Sequence, residues 1–293
     1  MIDGLIDPLK FEFMRNALAM AIMLGILCAV VGSYMIVQQM SMMGAMISHS
    51  ALAGLPVAVF LGQPLSVGAV VAGVISTIVL SGIESQSRLK IDSVMALVLA
   101  SFLAIGSTLV TVLPGANRID LIHVLFGNIL GVTRSDLLLT FGITILILIA
   151  AWLFYKELLF YTFDPLGAQA EGMPVRLYYL GIVTAISLTV VANLQTVGVL
   201  LMIAMLVAPG MTAYLLVKEL HQMMILGAGL GAFAGVVGMY LSYYLDIPSG
   251  SAIVLVAFGL FLLAFLLSPS QGVLTQSRRL KAQEVGSVRG VEK

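Results

Sequence analysis

The sequence predicts an all-α, polytopic membrane protein with about 8–9 transmembrane helices. Three observations carry that expectation. Of 293 residues, 60% are apolar and only 10% are charged; a soluble domain carries about 25% charged residues. Mean hydropathy is +1.12. The apolar residues fall in runs of roughly 20, the length that crosses ~30 Å of hydrocarbon. Only helices and closed barrels satisfy their backbone groups in lipid. A barrel would show alternating strands of roughly ten residues, and this chain shows none of that pattern.

Length and breaks divide the chain into nine spans, at 13–35, 46–62, 65–83, 93–113, 136–156, 177–193, 197–217, 222–244 and 250–267. Short turns with breakers separate several of them: Gly62-Gln63-Pro64, Asn193-Leu194-Gln195 and Asp246-Ile247-Pro248-Ser249-Gly250. Two connections are longer, at 114–135 and 157–176. The chain is therefore expected as an outer segment 1–12, a membrane domain 13–267 and a polar, disordered cytoplasmic tail 268–293. Nine spans leave no room for a soluble catalytic or nucleotide-binding domain.

Orientation follows from Lys and Arg. Arg88, Lys90, Lys156, Arg176, Lys218, Arg278, Arg279, Lys281, Arg289 and Lys293 fall on one side of nine spans, ten residues in all. Lys10, Arg15, Arg118 and Arg134 make four on the other. Ten against four places the C-terminus in the cytoplasm and the N-terminus outside. The stretch 119–132 is too short for a further crossing and reads as a short helix or re-entrant piece at the outer face. Gly227, Gly231 and Gly235 form a small-residue stripe on one helix face, which reads as close helix packing.

Several functions drop out. Net charge is zero, with 14 basic and 14 acidic residues, so nothing argues for nucleic acid. Cys28 is alone, which rules out an internal disulfide or a cysteine metal cluster. There is no His-Glu-x-x-His, no Walker glycine loop, no Gly-x-Gly-x-x-Gly and no Ser-His-Asp order. An intramembrane enzyme would need a convergent catalytic set.

Ionisable groups inside a membrane are costly and usually functional. His49 lies near the start of the second span, in Gly44-Ala45-Met46-Ile47-Ser48-His49-Ser50. Imidazole suits divalent transition metals, and thioether suits softer ions. Met46 is three residues from His49 and can share its helix face; a packing histidine beside Met gap-fillers is the competing reading. Asp120 and His123 have the same three-residue spacing near the outer face, where a helix cap is equally good. His221 reads as a solvated loop residue.

The 157–176 connection contains a capped helix. Asp164 can cap it, Pro165 can begin it, Gly172 can end it and Pro174 blocks continuation. A short exposed helix on the cytoplasmic face, through Glu171, is a docking knob for a partner or an ordinary capped loop.

The chain resembles the permease of zinc, manganese and iron ABC importers over about residues 10–268. Ser41-Met42-Met43-Gly44 with Ile47-Ser48-His49 and Leu52-Ala53-Gly54 is similar to that family's Gly-Asp-Ala-Ile-Ser-His segment. Asp120 to Gly131 is similar to its outer-face signature. Lys156-Glu157, Phe163-Asp164-Pro165 and Gly172-Met173-Pro174-Val175 are similar to its coupling region. Val197-Gly198-Val199, Ala208-Pro209-Gly210 and Tyr243 to Gly250 follow in order.

The resemblance implies a type II ABC importer-like bundle in the bacterial plasma membrane. It implies a dimeric path for a divalent metal, with manganese first, then zinc, then iron. The partners it implies are a second copy or a paralogue, a cytoplasmic ATPase dimer that uses the ATP, and an extracytoplasmic metal-binding protein; the chain itself holds no cofactor. His49 is the implied metal contact, with Met46, Ser48 and Ser50 as weaker ones. Asp120 and His123 belong to the outer gate or docking surface. Asp164, Pro165, Glu171 and Gly172 belong to the ATPase coupling helix. One position departs from the family: Ala45 stands where an Asp is usual. Either a paralogue supplies the carboxylate, or His49 and Met46 hold the ion transiently, which transport permits. A stand-alone secondary carrier or channel is the alternative, but such proteins usually carry charged pairs at mid-membrane.

Overall fold

Among the described residues, 7–87, 89–115 and 127–268 of a computed structural model, nine helices are long and apolar enough to cross a membrane. They are α1 (Glu12–Val37), α2 (Met43–Phe60), α3 (Leu65–Gln86), α4 (Ile91–Val112), α5 (Arg134–Leu153), α8 (Val175–Val197), α9 (Val199–Leu216), α10 (Leu220–Leu245) and α11 (Ser249–Leu267). Two short helices, α6 (Tyr155–Phe163) and α7 (Pro165–Ala170), fill the connection between α5 and α8. The tail from Pro269 onward, residues 1–6, and Asp120 and His123 lie outside the described residues.

The turns follow local chemistry. Gly62 has φ +64° after α2, and Pro64 opens α3. Asp246 takes φ +56° at the end of α10, and Pro248 opens α11. Thr133 and Asp136 form a reciprocal capping box at the start of α5.

α1 is the central helix. It packs most closely on α10, and also on α9, α5 and α8. The glycine stripe explains the closest contact. Gly227, Gly231 and Gly235 of α10 face Ala29, Gly25 and Ala21 of α1 in antiparallel register. Lipid tails supply no hydrophobic drive between helices, so close backbone approach and dispersion carry this packing. α2 packs between α3 and α4, and meets the α1 group through α8 and α9. α4, α5 and α11 are the least enclosed spans. Large apolar side chains there and on α10, such as Trp152, Leu138, Leu255 and Ile225, point outward.

Contacts between helix ends show which ends lie together. Gln38 bonds Thr162, Tyr179 bonds Glu84 and Ser268 bonds the Leu215 carbonyl at one end. Arg134 pairs with Glu12 at 2.7 Å, and Asn128 N–H donates to the Thr196 carbonyl, at the other.

One predicted break lies elsewhere. Asn193-Leu194-Gln195 is helical, and the chain breaks at Gly198, with φ +86° and ψ 156°. Asn193 is not a turn residue because its polar groups are satisfied laterally. Its Oδ1 accepts from Thr140 Oγ1 of α5 at 2.6 Å, and its Nδ2 donates to the Thr189 carbonyl. Of the stretch expected as a short outer piece, residues 127–132 carry a 3-10 turn, Ile129–Gly131, packed chiefly on α1, with Asn128 N–H bonded to the Thr196 carbonyl near the end of α8.

Candidate functional site

α2 carries no Asp, Glu, Lys or Arg. Its packed sides bury Met43, Gly44, Met46, Ile47, Ser48, Ser50 and Ala51. Ala45 and His49 are only half-buried, and Met42, just before the helix, is 47% exposed. Positions 42, 45 and 49 follow helical spacing, so they form one uncovered stripe. His49 sits on that stripe six residues into the helix, roughly 9 Å along its axis. Of the Asp, Glu, Lys, Arg and His side chains among the described residues, it lies furthest from a helix end within a span.

The polar atoms around it are unspent. His49 Nδ1, Ser48 Oγ and Ser50 Oγ are buried and have no hydrogen-bond partner. A helical serine commonly donates to the carbonyl four residues back, as Ser33 donates to Ala29 at 2.6 Å. Ser48 and Ser50 do not. Leaving a buried polar atom unpaired costs about 1–3 kcal/mol. Three such atoms lie in consecutive residues. Met46, like Ser48 and Ser50, is 0% exposed; its side chain packs in the core. Among the described residues, no group of three His, Cys, Asp or Glu side chains is close enough to hold a metal ion.

The short helices form the second element. Asp164 Oδ1 accepts from Gly167 N–H at 2.8 Å, and Pro165 opens α7. Glu171 is its C-cap, and Gly172 follows with φ +81°. Leu166 projects from α7 with 78% exposure, an apolar side chain on a polar end of the bundle. Sequence reading did not single it out, although an apolar residue in the first turn of a short capped helix is a visible signal.

α6 ties this element to the spans. Tyr161 stacks on Tyr178 with ring centroids 6.3 Å apart. Burial, with the nearby Glu84 carboxylate, pushes the Tyr161 hydroxyl up to about 12. Tyr179 donates its hydroxyl proton to Glu84 at the end of α3. Thr162 accepts from Gln38 Nε2 at 3.2 Å. These pairs join residues far apart in the chain and have no local sequence signature. His221 opens α10 and pairs with Glu219 at 3.3 Å, both side chains exposed, as a solvated residue should.

Residues 10–268 match the ABC 3 transport family. The chain is 43% identical over 273 residues to the manganese transport system membrane protein MntC of Halalkalibacterium halodurans, covering 93% of each chain. It is 39% identical to the manganese import system permease protein ScaB of Streptococcus gordonii, covering 93% of this chain and 96% of that one. Its fold is similar to a solved chain of PsaBC from Streptococcus pneumoniae in complex with Fab, with TM-score 0.82, 39% identity, and coverage of 94% and 100%. The chain belongs to the ABC 3 transport family, as a multi-pass membrane permease.

Proposed function

We propose that this permease forms the path of an ATP-driven importer for a divalent transition-metal ion, with manganese as the first cargo. The carrying observation is the uncovered His49 stripe, flanked by the unpartnered hydroxyls of Ser48 and Ser50. Manganese is what the named relatives transport. Imidazole nitrogen and hydroxyl oxygen are both ligands for divalent first-row ions. One stripe offers too few ligands for a tight site. A second copy or a paralogue therefore faces it across the path. Incomplete ligation suits passage, because an ion must leave as readily as it enters.

Energy comes from a separate subunit. The sequence has no nucleotide-binding motif. α7, with Leu166 exposed and Asp164, Pro165, Glu171 and Gly172 shaping its ends, is the docking helix for a cytoplasmic ATPase dimer. Lys90, Lys156, Arg176 and Lys218 lie at that end, and this basic excess supports a cytoplasmic face there with the N-terminus outside. The opposite end receives an extracytoplasmic metal-binding protein, and the sequence offers Asp120 and His123 as candidates for that outer gate or docking surface. The two gated states must differ in their contacts with the ATPase, or nucleotide would shift nothing.

The test is cellular metal content by mass spectrometry, in cells lacking this chain and in complemented cells, under limiting trace metals. Selective loss of manganese, restored on complementation, is the expected result. Selective loss of zinc or iron would rename the cargo. No change in any of the three would overturn metal import by this chain.

A further inference from the structure

We infer that the Gln38–Thr162 hydrogen bond is the latch through which movement of α7 reaches the helix that carries His49. The inference rests on the reading of α7 as the ATPase docking helix and deepens it.

The latch joins two stiff pieces. On one side, α1 ends in a closed turn. Gln39 takes φ +60° and donates its N–H to the Ile36 carbonyl, while Met40 N–H donates to the Met35 carbonyl at 2.8 Å. These two bonds with a left-handed residue between them form a Schellman cap. Met40 is buried, and Met43 N–H returns to the Met40 carbonyl at 2.9 Å, which starts α2. The turn from Gln38 to α2 therefore has little slack. A displacement of Gln38 moves the first turn of α2, and His49 lies on the same helix.

On the other side, Thr162 is buried near the end of α6. Asp164, two residues later, is the cap of α7. Asp164 N–H donates to the Phe160 carbonyl at 2.9 Å, so the two short helices are bonded across their junction. Between these pieces, among the described residues, the Gln38–Thr162 bond at 3.2 Å is the side-chain hydrogen bond from the α1–α2 turn to the α6–α7 unit. The path from α7 to His49 thus consists of covalent chain and named hydrogen bonds. A part-buried polar bond also has discrete made and broken states, as a coupling element requires.

The test uses the full permease–ATPase complex in proteoliposomes. The variants are Gln38→Leu, Thr162→Val, their combination, and Thr162→Ser, which keeps the hydroxyl. One readout is manganese ions transported per ATP hydrolysed. The other is maleimide labelling of Met42→Cys, with and without ATP, in a Cys28→Ala background. Met42 is exposed at the start of α2, and Cys28 is buried and is the only cysteine.

ATPase co-purification and basal hydrolysis should stay at the wild-type level in all variants. Gln38→Leu and Thr162→Val should each lower ions per ATP by about tenfold, within the usual range of coupling effects. The combination should be no worse than either alone, because both remove one bond. Thr162→Ser should stay within about twofold of wild type. The ATP-dependent change in labelling should vanish with the bond and survive in Thr162→Ser.

Unchanged ions per ATP in both single variants would overturn the latch, as would a combined loss equal to the product of the two. So would labelling that ignores ATP in the otherwise intact chain, a measurement that needs no latch variant to fold. If labelling responds to ATP and the response is lost with the bond, yet no metal moves, the latch stands and the cargo reading falls. If the ATPase does not bind the intact chain, the docking reading falls and the latch with it.

Discussion

Gly25 of α1 and Gly231 of α10 meet backbone to backbone, so that a Cβ on Gly25 would stand 2.4 Å from the Gly231 carbonyl carbon and from Ala232 N. No rotamer change relieves a clash between backbones. Gly25→Ala should therefore destabilise the bundle by about 1–3 kcal/mol, as overpacking does. Gly229, on the same helix as Gly231, has nothing within 4 Å of its would-be Cβ. Gly229→Ala should be neutral or stabilising by up to about 1 kcal/mol, from helix propensity alone. Thermal unfolding in detergent checks both. Equal effects of the two changes would remove the close α1–α10 contact from the account.

His49 is half-buried and Met46, three residues before it, is fully buried, so the proposed path role can be tested on the two side by side. His49→Ala should abolish uptake while the complex still assembles. Met46→Leu is a nearly volume-conserving swap of a fully buried side chain, so it should cost less than about 1.5 kcal/mol and leave uptake intact. Reconstituted transport, with co-purification as the assembly control, reads both. Equal loss of uptake in the two variants would place Met46 beside His49 as a metal contact.

The serines beside His49 make an opposed pair of expectations. Their hydroxyls are buried without partners. Ser48→Ala and Ser50→Ala remove that cost, so each should raise stability by about 1 kcal/mol. If the hydroxyls contribute to the path, uptake should fall severalfold at the same time. Stability and uptake measured on one preparation decide it. A variant that is both less stable and fully active would show that the hydroxyls serve packing.

The nine spans were legible because bilayer thickness sets their length, and length needs no partner to read. The caps of α7 were legible for a similar reason, since Asp164, Pro165 and Gly172 act within one short segment. The break at Gly198 was misplaced at Asn193 because Asn-Leu-Gln has turn composition, while its satisfaction comes from Thr140, 53 residues away. His49 was legible as a rare imidazole in an apolar run. The burial of Met46 and the idle hydroxyls of Ser48 and Ser50 depend on which side α3, α4, α8 and α9 cover. The Gln38–Thr162 pair spans 124 residues and was invisible for the same reason.

The caps of α7 also test the docking reading. Asp164→Ala removes a side-chain cap, typically about 1 kcal/mol of helix stability. Asp164→Asn keeps an acceptor for Gly167 N–H and removes the charge. If α7 docks through its shape, Asp164→Ala should weaken ATPase co-purification and Asp164→Asn should not. Glu171→Ala should loosen the ATPase through lost charge, with the helix intact. Unchanged co-purification and coupled hydrolysis in all three would count against α7 as the docking helix.

Thr140 of α5 and Asn193 of α8 are joined by a buried polar bond. Thr140 Oγ1 donates to Asn193 Oδ1 at 2.6 Å, and both residues are buried. Thr140→Val keeps the shape and removes the donor, leaving the amide oxygen without that bond. In water the cost of an unpaired buried acceptor would be about 1–3 kcal/mol. Between membrane helices, hydrogen bonds average only about 0.6 kcal/mol, with a maximum near 1.7, because a separated helix finds other partners. The membrane figure should win, so Thr140→Val should cost about 1 kcal/mol or less. Asn193→Leu in turn leaves the Thr140 hydroxyl without its acceptor, so it should cost a similar amount, provided the larger apolar group fits. Detergent unfolding of the two variants and their combination forms a double-mutant cycle. A coupling above about 2 kcal/mol would mean that the α5–α8 contact carries more than one bond's worth of the structure.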